Sequence, residues 1–221
     1  MDADRRELAW GALQRTLAEA VKAGERPDTV LLLEHEPVVT LGRRTQETEL
    51  HVPAGVEVEV VETDRGGKST YHGPGQLVCY PIFDLTRHGQ DVKRYCRDLE
   101  EALIRTLVPL GVAATRIDGL TGIWVQPPPR TIASIGIHIS KWVTTHGYAL
   151  NVDLDPAPFT DWITACGIED AAFTTVAREL GRPVTVEEVR PHAVAALEEV
   201  FELQLEPLTL EHVHAPSALR V

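Results

Sequence analysis

The stretch Arg65-Gly66-Gly67-Lys68-Ser69-Thr70-Tyr71-His72-Gly73-Pro74-Gly75-Gln76 sets four glycines and a proline among hydrogen-bonding side chains within twelve residues. Glycine admits positive φ and lets another molecule or backbone come close, but it costs conformational entropy that an ordinary connector avoids. The loop is therefore expected to form the wall of a site, against the plainer alternative of a tight solvated turn between strands. Gly67-Lys68-Ser69-Thr70 resembles the end of a phosphate-binding P-loop, yet the glycine required five positions earlier is Glu62. Gly73-Pro74-Gly75 also breaks, within a turn, the helix that would have to start at the lysine.

Outward from the loop, Leu77 to Phe83 is a continuous apolar run expected to form a buried strand. Upstream, Leu8, Leu13, Leu17 and Val21 predict a helix from Glu7 to Ala23 that ends at Gly24, and Thr29–Glu34 and Pro37–Gly42 are short β-rich runs. Val56, Val58 and Val60 alternate with Glu57 and Glu59, which predicts a half-buried strand. Downstream, Asp91 is a cap for a helix presenting Val92, Tyr95, Cys96, Leu99, Leu103 and Leu107 on one face and ending at Gly111.

Thr121–Gln126 and Thr131–Ser140 predict a hairpin around Pro127-Pro128-Pro129, and Val143–Val152 a third strand interrupted at His146-Gly147. Thr185 and Glu188 form a capping box for a final helix carrying Val189, Ala193, Ala196, Leu197, Val200 and Phe201, with a kink expected at Pro191. Strands in the middle and helices toward the ends predict an α+β fold, a mixed β-sheet sandwich with packed helices. The 221 residues suit a single domain, 1–221.

The longest apolar runs are far too short for a membrane span, and charged residues at the N-terminus replace the apolar segment of a signal peptide, so no membrane partner and a cytoplasmic location are expected. A formal charge of −12 argues against nucleic acid as the main partner, since that demands a positive field. Cys79, Cys96 and Cys166, odd in number and widely spaced, are expected to be free thiols. The apolar settings of Cys79 and Cys96 suggest packing, whereas Cys166, in Thr164-Ala165-Cys166-Gly167-Ile168 after an Asp/Pro-rich stretch, fits a presented nucleophile and a packing residue equally. His72, His138 and His146 lack ligand spacing, so no metal is expected, and no Gly-x-Ser-x-Gly elbow supports a serine hydrolase.

Taken together, RGGKSTYHGPGQLVCYPIFDL, TGIWV, IASIGIHIS, HGYALNVDLD and ACGI resemble the lipoate-biosynthesis octanoyltransferase family, from about Thr29 to Phe201. The resemblance implies the fold of lipoate and biotin protein ligases. It implies transfer of an octanoyl group from octanoyl-acyl carrier protein to a lysine of lipoyl domains, those of 2-oxoacid dehydrogenases and the glycine-cleavage H protein. Cys166 is implied as the acyl-carrying nucleophile. Substrate contacts carry over to Arg65, Gly66, Gly67, Lys68, Ser69, Thr70, Tyr71 and His72, to Ser134, Ile135 and Gly136, and to Gly147, Tyr148 and Ala149. No cofactor is implied, and the protein is expected to be a monomer.

One position departs from the family. The lysine that precedes the Ile-Ala-Ser-Ile-Gly segment, where it lowers the cysteine's pKa, is Thr131 here. Arg130 is adjacent but expected on the opposite face of an extended strand, while Lys141 would lie roughly 33 Å away. Lys68, His72 and His146 are the candidates for a substitute. Two other readings remain: an ATP-dependent lipoate or fatty-acid protein ligase, and a catalytically impaired protein that binds acyl carrier or lipoyl domains.

Overall fold

A computed structural model describes residues 6–164 and 172–208, with side chains from Trp10 onward. Helix α1 (Arg6–Lys22) precedes β1 (Thr29–Leu33), β2 (Val38–Leu41), β3 (Glu59–Glu62), β4 (Thr70–His72) and β5 (Gln76–Ile82). Helix α2 (Val92–Leu107), β6 (Ile123–Val125), β7 (Arg130–Ser140) and β8 (Val143–Asn151) follow, then α3 (Ala157–Asp161), α4 (Val176–Leu180) and α5 (Val186–Phe201). The larger sheet has the order β1-β5-β8-β7-β6 with antiparallel neighbours throughout, and the smaller has the order β3-β2-β4 with β2 and β3 parallel. This is the α+β fold, with mixed sheets and packed helices, that the sequence pattern predicts.

Alternation along the strands sorts the large sheet into two faces. Leu77 and Cys79 of β5 and Tyr148 and Leu150 of β8 join the main core, with the partly buried Ile135, Ile137 and Ile139 of β7 packed against it. The same core takes in α2 and α5, whose buried positions include Leu99, Leu103, Leu107, Val189, Ala193 and Leu197. Asp91 starts α2 by accepting the N–H groups of Lys93 and Arg94, and Thr185 starts α5 by accepting that of Glu188, contacts worth about 1 kcal/mol each. On the opposite face, Leu17, Ala18 and Val21 of α1 pack on Ile82 and Val143.

The small sheet is sorted in the same way. Val39 and Tyr71 pack with Leu154, Phe159, Ile163 and Phe173, while the paired Val38–His72 and Thr40–Thr70 positions alternate with them. Two details differ from expectation. The strand after Val56 starts later, at Glu59, and buries Val61, leaving Val56 and Val60 exposed; of the adjacent Val60 and Val61, the second takes the inward face. Strand β8 runs unbroken through His146-Gly147.

At Gly147 another strand comes close. A Cβ there would collide with the carbonyl oxygen of Cys79 and with the ring of Pro81, both on β5. Gly147→Ala should therefore wedge β5 from β8 and lower stability by about 3 kcal/mol, the upper range for overpacking, as measured by urea unfolding.

Candidate active site

Between the two sheets lies a cavity of about 340 Å³. The small sheet contributes Thr40, Thr70 and His72, the large sheet contributes Val78, Tyr80, Ser134, Gly136, Gly147 and Ala149, and the glycine loop closes one side. Loop and sheet touch directly: the Gly66 N–H donates to the Ile137 carbonyl at 2.8 Å, and a Cβ on Gly136 would stand 3.1 Å from the Gly66 carbonyl oxygen. A side chain at either position would press on the facing backbone, which would have to give by a few tenths of an ångström.

Arg65 gives the loop its shape. Its guanidinium donates to the Thr40 carbonyl at 2.7 Å, to the Thr40 hydroxyl at 2.8 and 3.2 Å, and to the carbonyls of Lys68 and Gly66 at 2.7 and 3.2 Å. Lys68 points elsewhere, and its ammonium bonds the carboxylate of Glu49, which also accepts the Gln46 N–H at 3.1 Å. Burial pushes the Glu49 carboxyl up, but these bonds outweigh it and the net effect is to lower its pKa.

Two further networks reach the cavity through His72 and His146. His72 Nδ1 bonds Gln76 Oε1 at 2.7 Å, Gln76 Nε2 donates to Asn151 Oδ1 at 3.0 Å, and Asn151 Nδ2 donates to the Thr174 carbonyl at 3.2 Å. His146 Nε2 lies 2.7 Å from Asp64 Oδ1, and His138 Nε2 lies 3.6 Å from Asp64 Oδ2. The hydrogen bond from His146 outweighs burial and holds the Asp64 carboxyl at about 2. His146 adopts φ +57°, and its N–H donates to Gln14 Oε1 of α1 at 2.7 Å.

Thr131 is buried and lines the cavity. Its N–H donates to the Ala172 carbonyl at 2.8 Å, and its own carbonyl accepts the Thr174 N–H at 2.9 Å. Arg130 turns away and forms a forked pair with Glu179, at 3.0 to 3.2 Å. Lys141 is exposed in the turn between β7 and β8. On the other side, the Thr164 N–H donates to the Glu49 carbonyl at 2.9 Å.

Comparisons with known proteins give this geometry a family. Residues 9–198 match the family model of the lipoyl protein ligase A/B catalytic domain. The octanoyltransferase of Chloroflexus aggregans is 47% identical over 201 residues, covering 89% of this chain and 90% of that protein. That of Mycobacterium tuberculosis H37Rv is 52% identical over 190 residues, covering 86% and 80%. The chain belongs to the lipoyl protein ligase A/B family, as one of its octanoyltransferases. Its activity serves protein lipoylation. The fold matches that of the Thermoplasma acidophilum bipartite lipoate protein ligase, with a TM-score of 0.69 at 18% identity, covering 92% of this chain and 86% of that one.

Most residues singled out in the sequence meet in the cavity of this octanoyltransferase: Arg65 through Thr70, His72, Thr131, Ser134, Ile135, Gly136, Gly147, Tyr148 and Ala149 all line it. Tyr71 does not, because its ring stacks edge-on against Phe159 and Trp162 on the far face of β4. Cys166 lies outside the described residues. Burial pushes the Cys79 thiol up to about 12 and raises that of Cys96, as suits packing residues. Glu49 and Asp64 were not legible as site residues: Glu49 sits in a polar run like any surface turn, and only the adjacency of Asp64 to Arg65 hinted at its place.

A carboxyl whose folded pKa is depressed adds stability that is fully present above its unfolded value, near 4, and is lost as pH falls toward about 2. The Asp64 side chain is 43% exposed, which discounts its contribution to about 1 kcal/mol. Asp64→Asn should lower unfolding stability by that amount at about pH 5, and urea titrations should show the gap closing as pH drops through 4 toward 2.

Proposed function

We propose that this octanoyltransferase moves an octanoyl group from the thioester of octanoyl-acyl carrier protein to Cys166, and from Cys166 to the lysine of a lipoyl domain. The observation that carries this reading is the convergence of glycine loop, β7 and β8 on one cavity, with the described residues on either side of the Cys166 segment tied to it: Thr164 bonds Glu49, the partner of the lining Lys68, and Ala172 bonds the lining Thr131. Val78, Ile135, Trp124 and Ala149 offer an apolar lining for the acyl chain, and burying its carbons is worth about 0.8 kcal/mol each. Main-chain N–H groups of the glycine loop suit the carbonyl end.

The chemistry needs no nucleotide. A thiolate attacks the thioester carbonyl and expels the carrier thiol, giving an acyl-enzyme of similar energy; the acceptor amine then attacks it to form a more stable amide. The Cys166 thiol gives up its proton in the first step, and the departing carrier thiolate takes one up. Lipoyl domains of 2-oxoacid dehydrogenases and the glycine-cleavage H protein are the acceptors this chemistry serves. The purified chain, incubated with octanoyl-acyl carrier protein without ATP, should gain one octanoyl group by intact mass and pass it to a lipoyl domain. Cys166→Ser should gain none, and transfer that requires ATP would instead identify a ligase.

Thr131 supplies a hydroxyl where a cation would stabilise the thiolate. A thiol without such a neighbour titrates near 8.5, leaving only a few per cent thiolate at pH 7. Thr131→Lys is expected to speed Cys166 acylation ~10²–10⁴-fold at neutral pH. Stopped acylation assays across pH should show the gain shrinking above the free-thiol pKa. A parent rate already level near pH 7, unchanged by the substitution, would assign the role to another group.

A further inference from the structure

Buried polar groups in folded proteins almost always have partners, and an exception calls for a ligand or a water. Ser69, in the glycine loop, is 2% exposed, and its hydroxyl has no hydrogen-bond partner among the described residues. The residue lines the cavity between the sheets. The other cavity-lining residue with an unpartnered buried hydroxyl is Tyr148, whose ring packs with Cys79 and Leu150 in the core on the helical side of the large sheet. Ser69 is thus a neutral O–H donor of the described wall that is buried, unspent and outside that core.

The loop is held on either side of it. Lys68, one residue before, ties the loop to Glu49, and the Glu49 carbonyl accepts the N–H of Thr164. Thr70, one residue after, is locked into the small sheet opposite Thr40. An acyl chain held in this cavity offers one hydrogen-bond acceptor, its carbonyl oxygen, to a donor buried in the wall. The charged side chains there are committed elsewhere: the Arg65 guanidinium holds the loop and Thr40, and the Lys68 ammonium holds Glu49.

We propose that the Ser69 hydroxyl donates a hydrogen bond to the carbonyl oxygen of the transferred acyl group and stabilises the oxyanion formed there. The inference rests on the transfer reading above. As the thiolate sulfur bonds to the carbonyl carbon, the C=O π pair moves onto oxygen and the Ser69 O–H shortens its contact with that charge. Collapse re-forms the C=O bond and expels the carrier thiolate, and attack by the acceptor amine repeats the sequence, so Ser69 serves both halves without losing its proton. A donor aimed at developing charge is worth far more in the transition state than in the ground state.

The test is single-turnover acylation of the full chain by octanoyl-acyl carrier protein, comparing parent and Ser69→Ala. The variant removes an unpartnered hydroxyl, so its thermal midpoint should hold or rise, while its acylation rate constant should fall about 10²-fold with the half-saturating donor concentration little changed. Infrared difference spectra of the acyl-enzyme made with carbonyl-¹³C octanoate should show the C=O stretch moving to higher wavenumber in Ser69→Ala, a shift that a merely structural role would not produce. An acylating parent matched in rate and carbonyl frequency by Ser69→Ala overturns the inference alone. A parent that forms no acyl-enzyme overturns the transfer reading, and this inference with it.

Discussion

The buried guanidinium of Arg65 is the contact on which the site depends. One planar cation satisfies the Thr40 carbonyl and hydroxyl on β2 and the Gly66 and Lys68 carbonyls within its own loop, so it fixes the loop's curvature and its distance from the small sheet together. A lysine offers one point charge on a flexible stem and cannot reach these acceptors at once, which makes the fork geometry of arginine the requirement. With the loop so curved, Gly66 can bond Ile137 and lie against Gly136, and the cavity has its third side. The glycines give the loop freedom, and Arg65 removes it again.

The position of Thr131 follows from a second constraint, that a strand in a sheet alternates its faces. Arg130 and Thr131 point to opposite sides of β7, so the cation goes to Glu179 and the hydroxyl goes to the cavity. The backbone of residue 131 meanwhile forms a short parallel bridge with the chain at Phe173 and bonds Ala172 and Thr174. This backbone role is indifferent to the side chain. A change of side chain at residue 131 would therefore leave these backbone bonds in place.

Much of the fold was legible because its signals are local. The Asp91 and Thr185 caps, the apolar faces of α2 and α5 and the hairpin of β6 and β7 each rest on residues a few positions apart. The strand near Val58 differs from expectation because Val60 and Val61 are both apolar, so alternation alone does not say which of them faces inward, and it is Val61 that is buried. The cavity's charged partners were hidden for a different reason. Glu49 meets Lys68, and Asp64 meets His146, across nineteen and eighty-two residues of chain, and neither acid carries a local mark of its destination.

Tyr71 shows the same limit from the other side. It stands inside the glycine-rich stretch, between two residues that line the cavity, yet the two-residue period of β4 turns it outward into the cluster with Phe159 and Trp162. That outward packing has a consequence for the site. Phe159 and Trp162 belong to the chain that runs on to Ile163 and Thr164, where it bridges back to Leu50 and Glu49. The face of the small sheet away from the cavity thus anchors the approach to Cys166, while the face toward the cavity presents Thr40, Thr70 and His72. One short sheet, read two residues at a time, ties one wall of the cavity to the chain at Ile163 and Thr164, so that neither can shift without straining the other.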